Sequence, residues 1–121
     1  MILATTNKAQ RLLYLKFVGN VTGEEMRAQA VEVQTLVADL GRGFRLLSDL
    51  EQLQSMDKEC VPELEKRMDF FKSAGIELVV RIIPDQHKDI GLNILSVFHY
   101  GRSVRNVTCK DFPEALRALK L

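Results

Sequence analysis

The sequence predicts an α/β fold, a mixed and mostly parallel five-stranded sheet with four helices, in one domain spanning residues 1–121. Three observations predict it. Short stretches with period-two alternation or continuous apolar character, at 11–18, 44–50 and 76–83, alternate with longer stretches in which apolar residues recur every three or four positions. Gly, Pro and Asn mark short joints between these stretches, with no repeat, low-complexity tract or linker. The length of 121 residues, with 46% hydrophobic and 27% charged residues, is that of one ordinary globular domain with room for a core.

Ile2 to Thr5 forms a short first strand, and "TNKAQ" turns the chain. Arg11 to Val18 alternates as the second strand, with Leu13, Leu15 and Phe17 on one side and Leu12, Tyr14, Lys16 and Val18 on the other. Gly19-Asn20 ends it. Thr22 with Glu25 is a capping box opening a helix in which Met26, Ala30, Val33, Val37 and Leu40 share a face. Gly41 and Gly43 supply the exit. Phe44 to Leu50 is the third strand. Glu59 to Ala74 is the second helix, with Val61, Leu64, Met68 and Phe71 as its stripe and Pro62 in its first turn.

Ile76 to Ile83 is the strongest strand, closed by Pro84, and "DQHKD" is a polar loop. The third helix, Ile90 to Tyr100, is interrupted by polar residues only at Asn93, Ser96 and His99. Ser103 to Thr108 is the last strand. Asp111 caps the final helix, with Glu114 three residues on and Ala115, Leu116 and Leu119 as its buried side.

The order β-β-α-β-α-β-α-β-α makes the last four strands parallel through right-handed crossovers, with the first antiparallel to the second. Lys16, Arg45, Asp49, Glu77 and Arg81 put polar groups on the strands. A sheet covered on both sides has near-continuous apolar strands, so these residues imply a face that is open or closed by polar pairs, with Asp49–Arg81 and Arg45–Glu77 as the cross-strand candidates.

A net charge of +1 implies no attraction to nucleic acid or anionic membrane. No stretch approaches the roughly 20 apolar residues of a membrane span, and "MILATTNKAQR" has too short an apolar run for a signal peptide. Cys60 and Cys109 lack C-x-x-C or metal spacing and read as reduced, partly buried thiols of a cytoplasmic protein. His87 and His99 stand twelve apart with no carboxylate at ligand spacing, so no metal site is expected. Neither G-x-x-x-x-G-K-[ST] nor G-x-G-x-x-G occurs, so no nucleotide or other cofactor is expected.

The third helix has more apolar surface than a one-sided helix needs. Ile90, Ile94, Val97 and Phe98 share the sheet-facing side, which leaves Leu95 and Tyr100, with Leu92, toward the outside. Such a patch marks an interaction surface, or a neighbouring helix covers it. His99 and Tyr100 give it polar handles.

Strand, "GNVTGEE" helix, "FRLLSDL" strand, helix, "VVRIIPD" strand and apolar helix, with the short signatures "LLSDLEQL" and "SVFHYG", resemble the SpoIIAA-like proteins over nearly the whole chain. These belong with the STAS domains, the anti-sigma-factor antagonists and their relatives. The CRAL-TRIO lipid-binding domains have a related one-sided fold. The resemblance implies a phosphorylatable serine at the start of the helix after the third strand, in an Asp-Ser pair some eight residues past a strand-end Asp. Counting from Asp49 leads to Asp57, which is followed by Lys58; the aspartate is kept and the serine replaced, while Ser55 stands two residues early.

The resemblance thus implies a non-enzymatic regulatory or protein-interaction module lacking the phosphorylatable serine. Asp57, Lys58, Leu95, Phe98, His99 and Tyr100 are its expected binding residues, and its partner is a second copy or a bacterial regulatory protein. The alternative is a carrier of a small apolar, lipid-like ligand held between the third helix and the sheet. A third reading, an enzyme using the Asp85–Asp89 loop, requires His87 or His99 beside Cys60 or a carboxylate.

Overall fold

The computed structural model describes residues 1–85, 95, 96 and 99–121. Among these, five strands and three helices follow the order β1 (Ile2–Asn7), β2 (Leu12–Val21), α1 (Gly23–Leu40), β3 (Arg45–Met56), α2 (Cys60–Ser73), β4 (Leu78–Ile82), β5 (Arg105–Cys109) and α3 (Phe112–Ala118). Leu95, Ser96, His99 and Tyr100 are also helical. The remainder of the expected helix at 90–100, including Phe98, lies outside the described residues, as do His87, Lys88 and Asp89.

The strands form one sheet in the order β1-β2-β3-β4-β5. β1 is antiparallel to β2 and every other neighbouring pair is parallel. The expected topology holds. The expected caps also form: Thr22 Oγ1 accepts from Glu25 N at 3.1 Å, and Asp111 Oδ1 accepts from Glu114 N at 2.9 Å. The Glu25 carboxylate, however, pairs with the amino terminus of Met1 at 3.0 Å.

Alternation sorts the core onto both faces of the sheet. Leu13, Leu15 and Phe17 pack with Leu46 and Val79 on the side of α1 and α2. Leu12, Leu47, Val80 and Ile82 pack with Ala115 and Leu119 of α3 on the other. This corrects the expectation of an open or polar-closed face. The register explains why the expected ion pairs do not form. Ser48 lies opposite Arg81 and Asp49 opposite Ile82, so Asp49 and Arg81 point to opposite faces. Asp49 accepts from the Tyr14 hydroxyl at 2.8 Å on the α3 side. Arg45 turns from Glu77 to the chain terminus, donating to Leu119 O at 2.6 Å and Gln10 O at 2.9 Å.

The inward stripe of α2 is also corrected. Val61 is exposed, and Cys60, Arg67, Met68 and Phe71 are buried. β3 runs to Met56 rather than Leu50. Its register with β4 ends at Asp49↔Ile82, while its pairing with β2 continues through two register shifts to Val21↔Met56. That overrun brings the ends of β2 and β3 to the starts of α1 and α2.

Candidate functional site

Two places collect the candidate residues. The first is the rim where β3 feeds α2. Asp57 is exposed, but one carboxylate oxygen is turned inward, accepting from Gly23 N at 3.1 Å and from the Cys60 thiol at 3.4 Å. Its amide donates to Val21 O at 3.1 Å, and its carbonyl accepts from Cys60 N at 3.0 Å. Asp57 therefore ties the end of β2 to the starts of both helices. The approach is tight enough that a Cβ on Gly23 would lie 2.7 Å from Glu59 O. Lys58, Glu59 and Val61 are exposed around this joint. Ser55 is occupied, donating to Asn20 Oδ1 at 2.6 Å.

Cys60 is buried and, among the described residues, hydrogen-bonds to Val21 O and Asp57 Oδ1 and not to a histidine. Burial first, and the Asp57 hydrogen bond and charge next, push its thiol up to about 11, so it holds its proton at neutral pH.

The second place lies beneath the helical residues at 95–100. The expected outward patch is corrected here. Tyr100 is 2% exposed within the main core, Ser96 is fully buried, and Leu95 is half-buried against the same core. His99 turns to α2, with Nδ1 2.8 Å from Asp69 Oδ1 and Nε2 3.8 Å from Glu65 Oε2. His99 thus meets two carboxylates of α2, whereas Cys60 is bonded to Val21 O and Asp57. Among the described residues no group of three or more His, Cys, Asp or Glu could hold a metal ion.

Ser96 and Tyr100 roof a cavity of about 60 Å³ whose floor includes Leu15, Leu46 and Val79 of the sheet. The charged residues among its described lining are two arginines, Arg67 and Arg81, both buried. Arg81 Nη1 donates to Ser96 Oγ at 3.1 Å and Asn106 Oδ1 at 3.0 Å. Arg67 Nη2 donates to Met26 O at 3.2 Å and Gln29 Oε1 at 3.1 Å, and the Gln29 amide is itself held by Ile2 O at 3.0 Å. Arg67 Nη1 is buried with no hydrogen-bond partner among the described residues. A buried donor left unpaired costs about 1–3 kcal/mol, more when charged. Burial lowers the affinity of the Arg67 guanidinium for its proton, and the charge of nearby Glu63 opposes this.

Sequence reasoning missed Arg67. The signal was present: residues 60, 64, 67, 68 and 71 recur at helical spacing, and an arginine occupies one of those inward positions. Arg81 was singled out for the wrong partner.

No protein-family model matches the chain, and no curated protein matches it by sequence. Solved structures do match. An uncharacterised protein of the DUF3478 family with a SpoIIAA-like fold, from Shewanella loihica, superposes with a TM-score of 0.74 at 17% identity, covering 98% of this chain and 92% of that one. The anti-sigma factor antagonist SpoIIAA in its unphosphorylated form gives 0.66 at 14% identity, covering 99% and 98%. The Bacillus cell fate determinant SpoIIAA in its phosphorylated form gives 0.62 at 13% identity, covering 98% and 99%. Likenesses this distant in sequence transfer no residue roles, but over nearly full length and with the strand order described above they show that this chain has the SpoIIAA-like, STAS-type α/β fold.

Proposed function

We propose that this chain is a non-enzymatic regulatory module that binds a protein partner, a bacterial regulator or a second copy, through the rim at the start of α2. The observation that carries this reading is the joint at Asp57. One side chain locks the starts of α1 and α2 together and leaves Lys58, Glu59 and Val61 as an exposed, rigidly held edge. The similarity to SpoIIAA, an anti-sigma factor antagonist solved in both phosphorylated and unphosphorylated forms, supports a regulatory role. Lys58 has no hydroxyl, so on this reading the rim works without a phosphoserine at that position.

Size-exclusion chromatography with light scattering tests self-association first. Cross-linking mass spectrometry in the native host tests a different partner. Lys58→Glu and Val61→Asp are expected to abolish the complex with the fold unchanged by circular dichroism. A complex that survives both substitutions has another interface.

The cavity under Tyr100 favours a second reading, a small-ligand carrier. At about 60 Å³ it falls well short of the roughly 300–1,000 Å³ that drug-sized ligands occupy, so a full lipid does not fit this conformation. Native mass spectrometry of the purified protein checks for a copurified molecule.

A further inference from the structure

We propose that the cavity between Ser96, Tyr100 and the sheet is a binding site for a small carboxylate with a short aliphatic chain, anchored by the guanidinium of Arg67. The inference rests on the carrier reading and narrows it to one class of ligand.

Four observations converge. The floor and walls are apolar, with Leu15, Leu46 and Val79 contributed by three adjacent strands. Both charged residues of the described lining are cationic, so the site selects against cations and for anions. Arg67 is held in place on one side only. Its Nη2 is fixed by Met26 O and by Gln29, which Ile2 O orients in turn, while its Nη1 is buried and unpaired among the described residues. Arg67 lines the cavity, and on this proposal its Nη1 turns to the guest, where a charge-assisted hydrogen bond to a carboxylate oxygen would relieve the unpaired donor.

Volume sets the size of the guest. A water needs roughly 10–15 Å³ of such space, so about 60 Å³ accommodates on the order of five heavy atoms. Butanoate, with six heavy atoms, is close to that size, and hexanoate, with eight, exceeds it. The Arg67 anchor on α2 orients the guest, with its carboxylate toward α2 and its aliphatic end toward Leu46 and Val79 of the sheet.

The test is a titration of the full chain with sodium butanoate and hexanoate, followed by amide and methyl NMR shifts. 1-Butanol and butylammonium serve as matched neutral and cationic probes. Carboxylates are expected to give saturable shifts, with intermolecular NOEs from their terminal methyl to Leu46 and Val79, and to bind at least about tenfold more tightly than the alcohol. Arg67→Gln is expected to erase that preference. Arg67→Lys, which keeps the charge without the fork, serves where the glutamine variant does not fold. Ser48→Leu, which fills the cavity from the sheet side and keeps the Arg67 side chain, is expected to abolish binding of every probe.

Equal affinity for butanoate and 1-butanol overturns the anchor at Arg67 and leaves the carrier reading standing. No saturable binding by any probe overturns both. Carboxylate shifts that persist in Ser48→Leu place the ligand elsewhere and also overturn the proposal.

Discussion

Two glycines close together in sequence fail for different reasons when given a side chain. Gly19 has φ of 70° with no atom near its missing Cβ, so Gly19→Val is strained by its backbone alone, at about 1–2 kcal/mol. Gly23 sits in α1, yet its Cβ would collide with the Glu59 backbone. Gly23→Ala is therefore expected to cost about 1–3 kcal/mol as the two helix starts are forced apart. Urea denaturation of both variants separates these effects from Gly19→Asn, which tolerates the left-handed backbone and should cost less. Position 19 could be read from "GN" at a strand end. Position 23 could not, because its constraint comes from a residue 36 positions away. At Cys60, the buried thiol should resist iodoacetamide in the native protein at pH 8 and react once the chain is unfolded in urea, as mass spectrometry would register. Rapid native labelling would contradict its burial.

α2 shows how an element can be legible while its orientation is not. The sequence places its limits to within a residue, but the hydrophobic period points to a stripe starting at Val61, whereas the stripe starts at Cys60. Both residues fit a helical period with Leu64, Met68 and Phe71, and only the packing of Cys60 against Val21 separates them. The same shift concealed Arg67, since a charged residue on an inward face counts against that face in any hydrophobic pattern. The observed orientation makes a sharp contrast. Val61→Asp should change stability by no more than about 0.5 kcal/mol, while Met68→Ala should cost about 2–5 kcal/mol, both measured by chemical denaturation. β3 was read short for a related reason. Glu51, Gln52, Gln54 and Ser55 break its alternation, yet backbone pairing to β2 carries the strand on to Met56 without help from side chains.

At the scale of the whole molecule, strand order and direction were readable because each rests on local rules: alternation, helical period and the handedness of crossovers. The sorting of polar residues between the two faces was not, because it depends on register. A shift of one residue would have placed Asp49 beside Arg81. Burial also gives the protein a collective pH response. The acidities of Cys60, Cys109, Tyr14 and Tyr100 are all weakened, with desolvation the leading cause. In each case the folded state holds its proton to higher pH than the unfolded chain. For Cys60 the contribution to stability is complete below pH 9.0 and is lost as pH rises to about 11. Urea midpoints should therefore be flat toward neutral pH and fall in alkali. Cys60→Ala should lower the neutral midpoint and flatten the alkaline decline, leaving the share of the other three groups. An unchanged alkaline slope in that variant would contradict the assignment.

The sheet's spatial order repeats the order in which its strands occur along the chain. On a ribosome, each strand after the first emerges to find its neighbour already made, and none must wait for a segment still to be translated. β1 through β3 with α1 can dock as soon as residue 56 has cleared the exit tunnel, and each later βα unit adds to a finished edge. Force-profile measurements on arrested nascent chains should therefore register successive pulls as the edge grows, rather than one late event.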